Sequence, residues 1–182
     1  MNRSFIRIIS LLSLVLMSAS CKSELNQGNE AGESPMSIAI SSPSFKEGER
    51  IPIKFTCDGM NLSPQLDWSG QIATGHSLAL IMDDPDAPAG TFVHWVLFNL
   101  PGDLASLPEG VSGIGISGCN GFRKLGYGGP CPPKGSTHRY FFKLYALDSA
   151  LDLKEGASKA EVERAMQGHI VGQGQLGGKY SR

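Results

Sequence analysis

Short apolar segments, each bounded by Gly, Pro or Asp, recur along residues 36–182. Most of them are rich in β-branched or aromatic side chains, a pattern that predicts β-strands. In the segment 92–100, apolar residues occupy both alternating sets of positions, which indicates a strand covered on both faces. The predicted strands are 36–40, 51–55, 78–82, 92–100 and 139–147.

One helix is predicted, late in the chain. Ser158 and Glu161 have the spacing of a capping box, an apolar stripe runs through Val162, and Gly168 stands where the helix would end. Residues 169–180 are expected to be extended, with glycines that mark bends or close backbone approaches. Many short strands, one late helix and no β–α–β alternation predict a mainly β fold, an antiparallel two-sheet sandwich.

The first 20 residues have the pattern of an export signal. Arg3 and Arg7 precede a short apolar run, and small residues then lead directly to Cys21. The run is shorter than the roughly 20 apolar residues of a membrane-spanning helix and suits a secretory signal peptide. The cysteine at this place is similar to a bacterial lipobox, although Ser18 stands where Leu is usual. We expect residues 1–20 to be a lipoprotein-type signal peptide and Cys21 to be lipidated; the alternative is an ordinary cleaved signal with Cys21 as a spare thiol.

Residues 21–35 are polar and carry almost no apolar side chain, so they cannot bury enough surface to fold by themselves. We expect a flexible tether from the lipidated Cys21 to a single domain, residues 36–182. The expected location is the bacterial cell envelope, on its periplasmic or its surface-facing side, with lipid as the only membrane attachment.

Charge and cysteine content narrow the function classes. The chain has 16 Lys and Arg against 17 Asp and Glu and no basic cluster, which argues against nucleic-acid binding. Cys57, Cys119 and Cys131 show no zinc-ligand spacing. In an oxidising compartment they are compatible with one disulfide and one free thiol; the sequence leaves all three pairings open, and unpaired thiols as well.

Two proline-rich loops carry the candidate chemistry, because each leads into an apolar strand with a histidine near its start. The loop 83–88 (DDPDAP) leads to His94, and the loop 126–135 (GYGGPCPPKG) leads to His138. Prolines lower the entropy cost of a rigid wall, and glycines expose backbone N–H groups. Each residue taken alone also has a structural interpretation, as a strand-start histidine, a turn or a rigid loop.

A pocket between these loops would offer the donors that a phosphate or carboxylate needs. They would be histidine N–H groups, the backbone N–H groups of Gly128 and Gly129, and a tyrosine hydroxyl. Asp84 would orient a histidine and keep it protonated.

The two loops and their strands resemble the signature motifs of the phosphatidylethanolamine-binding protein family. The resemblance extends through FTCDG at 55–59, NLP at 99–101, LYALD at 144–148 and GKY at 178–180. It points to the bacterial branch, which is known as Raf kinase inhibitor-like, of the YbhB/YbcL type.

This resemblance implies a two-sheet antiparallel Greek-key β-sandwich (PEBP-like) with a short C-terminal helix, and a small anion pocket at one end. It implies no cofactor, no metal and no catalytic residue. It also favours a disulfide between Cys57 and Cys131, which both fall in motif positions of the bacterial branch. The ligand-binding residues that it implies are Asp84, Pro85, His94, Gly129, Pro130, His138 and Tyr140.

The leading hypothesis is therefore an extracytoplasmic binding protein, not an enzyme, for a small phosphorylated or carboxylate ligand or an acidic protein partner. An alternative is an interaction module, resembling a kinase or protease inhibitor, with a vestigial pocket. A metal-dependent hydrolase is a weaker alternative, since no fixed-spacing motif such as HExxH is present. It would use Asp83, Asp84 or Asp86 with His94 and His138. The oligomeric state, a homodimer included, stays open.

Overall fold

Nine strands, one α-helix and one 3₁₀ helix form within residues 35–70 and 77–182, which are the residues that the computed structural model describes. They belong to one unit, Glu33–Arg182. The expected signal peptide, Cys21 and the tether as far as residue 34 lie outside the described residues. Within the described part, no helix combines the length and the apolar character needed to cross a membrane.

The strands form two sheets. One has six strands in the order β1-β9-β8-β4-β5-β7, and the other has three in the order β2-β3-β6. The paired strands of the described residues are antiparallel except β1 and β9, which are parallel. This confirms the mainly β, two-sheet prediction, and only β1 departs from antiparallel pairing. The bounds are β1 Met36–Ser37, β2 Ala39–Ser41, β3 Leu66–Ser69, β4 Ser77–Asp84, β5 Phe92–Pro101, β6 Ser106–Leu107, β7 Ile116–Ser117, β8 Thr137–Leu147 and β9 Ile170–Ser181.

The central strand β4 is buried at every position and separates two apolar cores. The inner core lies between the sheets and includes Leu80 and Met82 of β4. The outer core lies on the other face of the six-stranded sheet and includes Ala79 and Ile81. Alternating β4 side chains therefore supply both cores, which explains why the sequence of the central strands is apolar on both faces.

The helix α1, Lys159–Met166, begins with the predicted capping box. The Ser158 hydroxyl accepts a hydrogen bond from the Glu161 N–H, and the Glu161 carboxylate accepts one from the Ser158 N–H at 2.8 Å. Val162 and Met166 face the outer core and are fully or almost fully buried. Each such side chain stabilises the fold by roughly 1.5–3 kcal/mol, so α1 is fixed by its apolar face as well as by its cap.

The predicted strand at 51–55 is wrong. Ile53–Phe55 is a 3₁₀ helix, and Pro52 before it has no N–H for a sheet ladder. Thr56 closes this helix, because its N–H and its hydroxyl both donate to the carbonyl of Ile53, at 3.0 and 2.9 Å. Local turn chemistry thus overrides the strand propensity of the segment.

The remaining differences are at short strands. The predicted strand at 36–40 is divided at Ile38 between β1 and β2, which belong to different sheets. The short strands β3, β6 and β7 have no counterpart in the prediction, because two to four residues are too few to show a period. In β9 the predicted close approach is real: a Cβ at Gly174 would collide with the carbonyl of Ile38.

Candidate functional site

A β-bulge sets the orientation of His94 in β5. The pairing of β4 with β5 steps from Met82 opposite Trp95 to Asp83 opposite Val93, so His94 has no Cα partner. Bulges re-aim side chains and are common beside functional sites. Here the bulge places the consecutive residues His94 and Trp95 on the inner side of the sheet. Trp95 belongs to the inner core, and the His94 ring packs edge-on against Tyr140 of that core, with 5.2 Å between the ring centroids.

The Asp84 carboxylate at the end of β4 uses both of its oxygens. Oδ1 accepts the backbone N–H of Asp86 at 2.8 Å, which fixes the turn that follows the strand. Oδ2 lies 2.7 Å from Nδ1 of His138, and both side chains are more than nine-tenths buried. A carboxylate can only accept here, so Nδ1 carries the proton and Nε2 is the remaining polar atom of the His138 ring.

Asp86 connects this turn to β8. Its carboxylate accepts hydrogen bonds from the Arg139 side chain at 2.9 and 2.6 Å and from the Arg139 backbone N–H at 2.9 Å. The Arg139 guanidinium lowers the pKa of Asp86 to about 2. The ion pair is largely exposed and is therefore a weak contributor to stability; its role is to hold the turn beside the first residues of β8.

The second proline-rich loop is fastened to β5 at Gly128. Its N–H donates to the carbonyl of His94 at 2.8 Å, and its own carbonyl lies 2.6 Å from Nδ1 of His94. The next N–H, of Gly129, donates to Oδ1 of Asn61 at 2.7 Å. Both backbone donors that the sequence assigned to a ligand are therefore used within the protein, because partners distant in sequence reach them first.

A disulfide ties the same loop to the segment after the 3₁₀ helix. Cys57 and Cys131 are bonded with their Cα atoms 5.4 Å apart, and the backbone N–H of Cys57 donates to the carbonyl of Pro130 at 3.1 Å. This is the pairing that the family resemblance favoured. Cys119 is a free thiol of intermediate exposure.

Asp84, His94 and His138 face one cavity of about 220 Å³. Its other walls are prolines and aromatic rings: Phe92 and Phe122 pack edge-on at 4.8 Å, and both rings contact His94. The cavity is smaller than the roughly 300 Å³ at the lower end of drug-sized sites, so it suits a small head group. The lining residues are Asp84, Ala87, Pro88, Phe92, His94, Phe122, Cys131, Pro133 and His138.

Burial lowers the pKa of His94 below its ordinary 6.5, although the hydrogen bond to Gly128 and the charge of Asp84 act in the opposite direction. His94 is therefore neutral near pH 7. Because Nδ1 donates to the Gly128 carbonyl, Nε2 of the neutral ring is an acceptor. The expected donor at His94 Nε2 therefore arises only when the ring takes up a second proton from solvent, which a bound anion favours by raising the pKa of His94.

Tyr140 lies beneath this cavity. Its hydroxyl is buried near the Asp84 carboxylate and the backbone of Cys131, but forms no hydrogen bond of regular geometry among residues 35–70 and 77–182. Burial raises its pKa, and the charge of Asp84 raises it further, so the hydroxyl stays protonated and can donate.

The fold and these motifs coincide with a known family. The family model described as phosphatidylethanolamine-binding protein matches residues 41–181, which is nearly the whole described domain. The chain belongs to the phosphatidylethanolamine-binding protein family.

Relatives from distant organisms share the family sequence. A protein described as UPF0098 protein from Methanothermobacter thermautotrophicus is 51% identical over 145 residues, 76% of this chain and 95% of the relative. A UPF0098 protein of Pyrococcus horikoshii is 43% identical over 189 residues, 99% of this chain and 90% of the relative.

Two solved structures of the family share the fold. A phosphatidylethanolamine-binding protein homologue from Chlamydia trachomatis has a TM-score of 0.75 and 37% identity, covering 80% of this chain and 98% of its own. Escherichia coli YbcL, described as a new member of the mammalian PEBP family, has a TM-score of 0.74 and 29% identity, with the same coverage of both chains.

The residues implied by the family motifs fall into two groups in this structure. Asp84, His94 and His138 line the cavity. The other four residues do not line this cavity. Pro85 borders a different cavity on the outer face of the six-stranded sheet. The residues that support the wall or floor of the Asp84 cavity are Gly129, Pro130 and Tyr140. The motif therefore contains both cavity residues and the scaffold that positions them.

Sequence analysis missed Phe122, which supplies an aromatic wall. The loop that carries it is folded by Asn120, whose Oδ1 accepts the N–H groups of Phe122 and Lys124 and whose Nδ2 donates to the carbonyl of Gly126. A sequence such as NGFRK predicts a turn but does not indicate which pocket the turn closes. The sequence therefore contained no signal that Phe122 forms a wall of the cavity.

The acidic residues of the first loop do not assemble with the histidines into a metal centre. Among the described residues, no three His, Cys, Asp or Glu side chains come together as metal ligands would. Asp86 is engaged by Arg139, and Asp83 contacts lysines on the other face of the sheet.

Proposed function

We propose that this protein is an exported, lipid-anchored member of the family that binds a small anion, a phosphate or carboxylate group, in the cavity of Asp84, His94 and His138. The observation that carries the proposal is the buried Asp84–His138 pair, which presents His138 Nε2 beside His94 in a cavity of about 220 Å³. Small-molecule sites are typically concave, largely apolar cavities with a few polar groups directed into them, and this cavity has that composition.

A second histidine–carboxylate pair of the same chain gives a direct contrast. His169 Nδ1 lies 2.7 Å from Oδ1 of Asp148, the same distance as in the Asp84–His138 pair. The His169 and Asp148 side chains are 47% and 42% exposed, whereas those of His138 and Asp84 are 7% and 4% exposed. Taking a charge-bearing pair out of water is costly, and an anion that accepts from His138 Nε2 would offset part of that cost.

The anion would interact with groups whose charge responds to it. Protonation of His94 Nε2 would convert an acceptor into a charged donor, and His138 Nε2 would donate beside it. Charge-assisted hydrogen bonds of this kind are about twice as strong as neutral ones. Phe92, Phe122 and the prolines would exclude water around the bound group, which strengthens these interactions.

The test is an NMR titration of the purified protein with phosphate and with acetate, with and without a chelator. We expect saturable shifts at Asp84, His94 and His138 that do not depend on the chelator. His138→Gln should weaken binding roughly 10- to 100-fold, the worth of a charged hydrogen bond. The matched control His169→Gln should change it less than twofold. Equal effects of the two variants would contradict the proposal, and binding that requires a divalent metal would favour the hydrolase alternative.

Export and lipid attachment are part of the proposal and rest on residues 1–21, outside the described residues. The support is the sequence pattern alone, an apolar run followed by small residues and Cys21. Cys21→Ser should move the protein from the membrane fraction to the soluble fraction. A variant that stays with the membrane would contradict lipidation at this cysteine.

An interaction module, with the pocket vestigial, is the second candidate function. It is favoured by Phe122 and Leu125, which lie on one loop beside the cavity and are 42% and 51% exposed. An exported protein would not meet a cytoplasmic kinase, so a partner would be another envelope protein. His94→Ala should abolish anion binding, whereas partner binding through the loop would survive that change and fail in Phe122→Ser.

A further inference from the structure

Asp83, next to Asp84 in β4, is a buried carboxylate that the anion cavity does not use. Its side chain is 1% exposed, on the outer-core face of the six-stranded sheet. Lys143 of β8 and Lys159 of α1 both reach the same oxygen, Oδ2, with Nζ distances of 2.9 and 2.8 Å. The other oxygen, Oδ1, is buried and has no hydrogen-bond partner in the part of the chain that the structure describes.

The two ammonium groups have hydrogen-bonding capacity to spare. Each carries three N–H donors, and Asp83 occupies one on each. Lys159 also forms an ion pair with Glu163, 3.5 Å away and 46% exposed. Burial alone would lower the pKa of Lys159, but Asp83 and then Glu163 outweigh it, and the pKa is raised. Both an orphan acceptor and unused cationic donors therefore occur in one place.

These groups border a cavity of about 280 Å³ that shares no described lining residue with the anion cavity. The sheet separates the two, because Asp83 and Asp84 leave β4 on opposite faces. The volume lies just below that of typical small-molecule sites. The lining residues are Asp83, Pro85, Thr91, Phe141, Lys143, Lys159 and Gln175.

We propose that this cavity is a second ligand site, for a small carboxylate that carries a hydroxyl or amino group on the neighbouring carbon. The ligand carboxylate would bridge the free N–H groups of Lys143 and Lys159. A rotation of the Asp83 carboxylate would turn the buried Oδ1 towards the cavity, where the hydroxyl or ammonium group of the ligand would donate to it and so satisfy the orphan atom. Gln175 and Thr91 supply further polar contacts, and the small volume excludes larger ligands.

The test is a titration of the purified protein with L-lactate and L-alanine, followed by the backbone and lysine side-chain NMR signals of the cavity. Propionate, which has the carboxylate but not the adjacent donor, is the matched ligand control. We expect saturable shifts at Lys143 and Lys159 with lactate and alanine, and binding of propionate at least about tenfold weaker, because a site built around a donor rejects the analogue that lacks it.

Variants separate this site from the anion cavity. Lys159→Met keeps the aliphatic stem and leaves Lys143 to neutralise Asp83, so the fold should survive while lactate binding falls about tenfold or more. The exposed Lys154→Met is the control and should have no effect. Asp84→Asn should leave lactate binding at the lysines intact. The proposal is overturned if lactate and propionate bind equally, if neither shifts these signals, or if Lys159→Met binds lactate as well as the control does.

Discussion

Asp83 and Asp84 are neighbours at the end of β4, yet their surroundings differ in chemical kind. The Asp84 carboxylate pairs with the ring of His138, in a cavity closed by aromatic rings and prolines. The Asp83 carboxylate pairs with the ammonium groups of two lysines, one of them on a helix. One strand thus presents an aspartate to a histidine on one face of the sheet and an aspartate to two lysines on the other, so adjacency in sequence says little about shared function.

Removal of the disulfide should give the largest difference between the two cavities. Cys131 of the disulfide lines the Asp84 cavity, whereas neither of its cysteines lines the Asp83 cavity. Cys57 and Cys131 close a loop with a sequence separation of 74 residues. The chain-entropy model gives about 4 kcal/mol for a loop of this length, so the variant with serine at both positions should lose about that much stability in urea unfolding. It should also weaken acetate binding and leave lactate binding unchanged. Loss of lactate binding in the folded double variant would show that the faces are not independent.

Asp83→Asn removes the carboxylate that both Lys143 and Lys159 contact. Removing one member of a buried ion pair costs about 3–5 kcal/mol, but the lysine heads are partly exposed, so we expect about 2 kcal/mol. Asp84→Asn should cost about 1 kcal/mol in stability, because its one amide oxygen still accepts from His138 and only the hydrogen bond from the Asp86 N–H is lost. It should act mainly on anion affinity. Urea unfolding measures the stability loss of each variant. A larger loss in Asp84→Asn than in Asp83→Asn would contradict the expected order.

The pH dependence should differ between the two cavities. The pKa of His94 is lowered by burial, so acetate affinity should rise as pH falls from 8 towards that pKa, by at most about tenfold per pH unit for one proton. Lactate binding at the lysines should stay flat over the same range, because the pKa of Lys159 is raised. Calorimetric titrations at several pH values measure both, and a flat acetate profile would refute the role of His94.

The lowered pKa of His94 also determines how the stability of the fold changes with pH. Because the folded-state pKa of His94 lies below the unfolded value near 6.5, the unfolded chain takes up the proton first. This contribution to stability is present above pH 6.5 and is lost as the pH falls towards the folded pKa. Acetate should restore part of it by binding the protonated folded form.

The smallest effect is expected at Arg139. Its bidentate ion pair with Asp86 holds the turn beside the Asp84 cavity but is largely exposed. Exposed pairs contribute about 0.2–1 kcal/mol, so Arg139→Gln should weaken acetate binding no more than about fivefold and leave lactate binding unchanged. A loss comparable to that of His138→Gln would mean that Arg139 contacts the ligand directly.

Sequence patterns within a short segment correctly predicted the helix and the long strands, whose formation depends on neighbouring residues. The capping box of Ser158 and Glu161 determines where α1 begins, and the long apolar strands β4, β5 and β8 were recognised within a few residues. The strand predicted at 51–55 was wrong because Pro52 and Thr56 build a turn there. Strands of two to four residues pair through contacts distant in sequence, which a local pattern does not contain.

For the candidate site, the sequence indicated which side chains share a cavity, but not which backbone groups are free to bind a ligand. Asp84, His94 and His138 do line one cavity, yet the N–H groups of Gly128 and Gly129 are taken by His94 and Asn61. The lysine partners of Asp83 lie 60 and 76 residues away, so nothing near Asp83 indicated them. Partners of this kind become visible only when the sheet and helix bring them together.

The most direct test of the central claim is ¹⁵N NMR of the histidine rings at pH 7, with and without saturating acetate. The account predicts that His94 without acetate is protonated at Nδ1 only. Bound acetate should raise the pKa of His94, so that Nε2 takes up a proton from solvent, and should shift the signals of His138, while the ring of His169 does not respond. If acetate leaves the rings of His94 and His138 unchanged, the cavity of Asp84 does not bind anions and the proposed function is wrong.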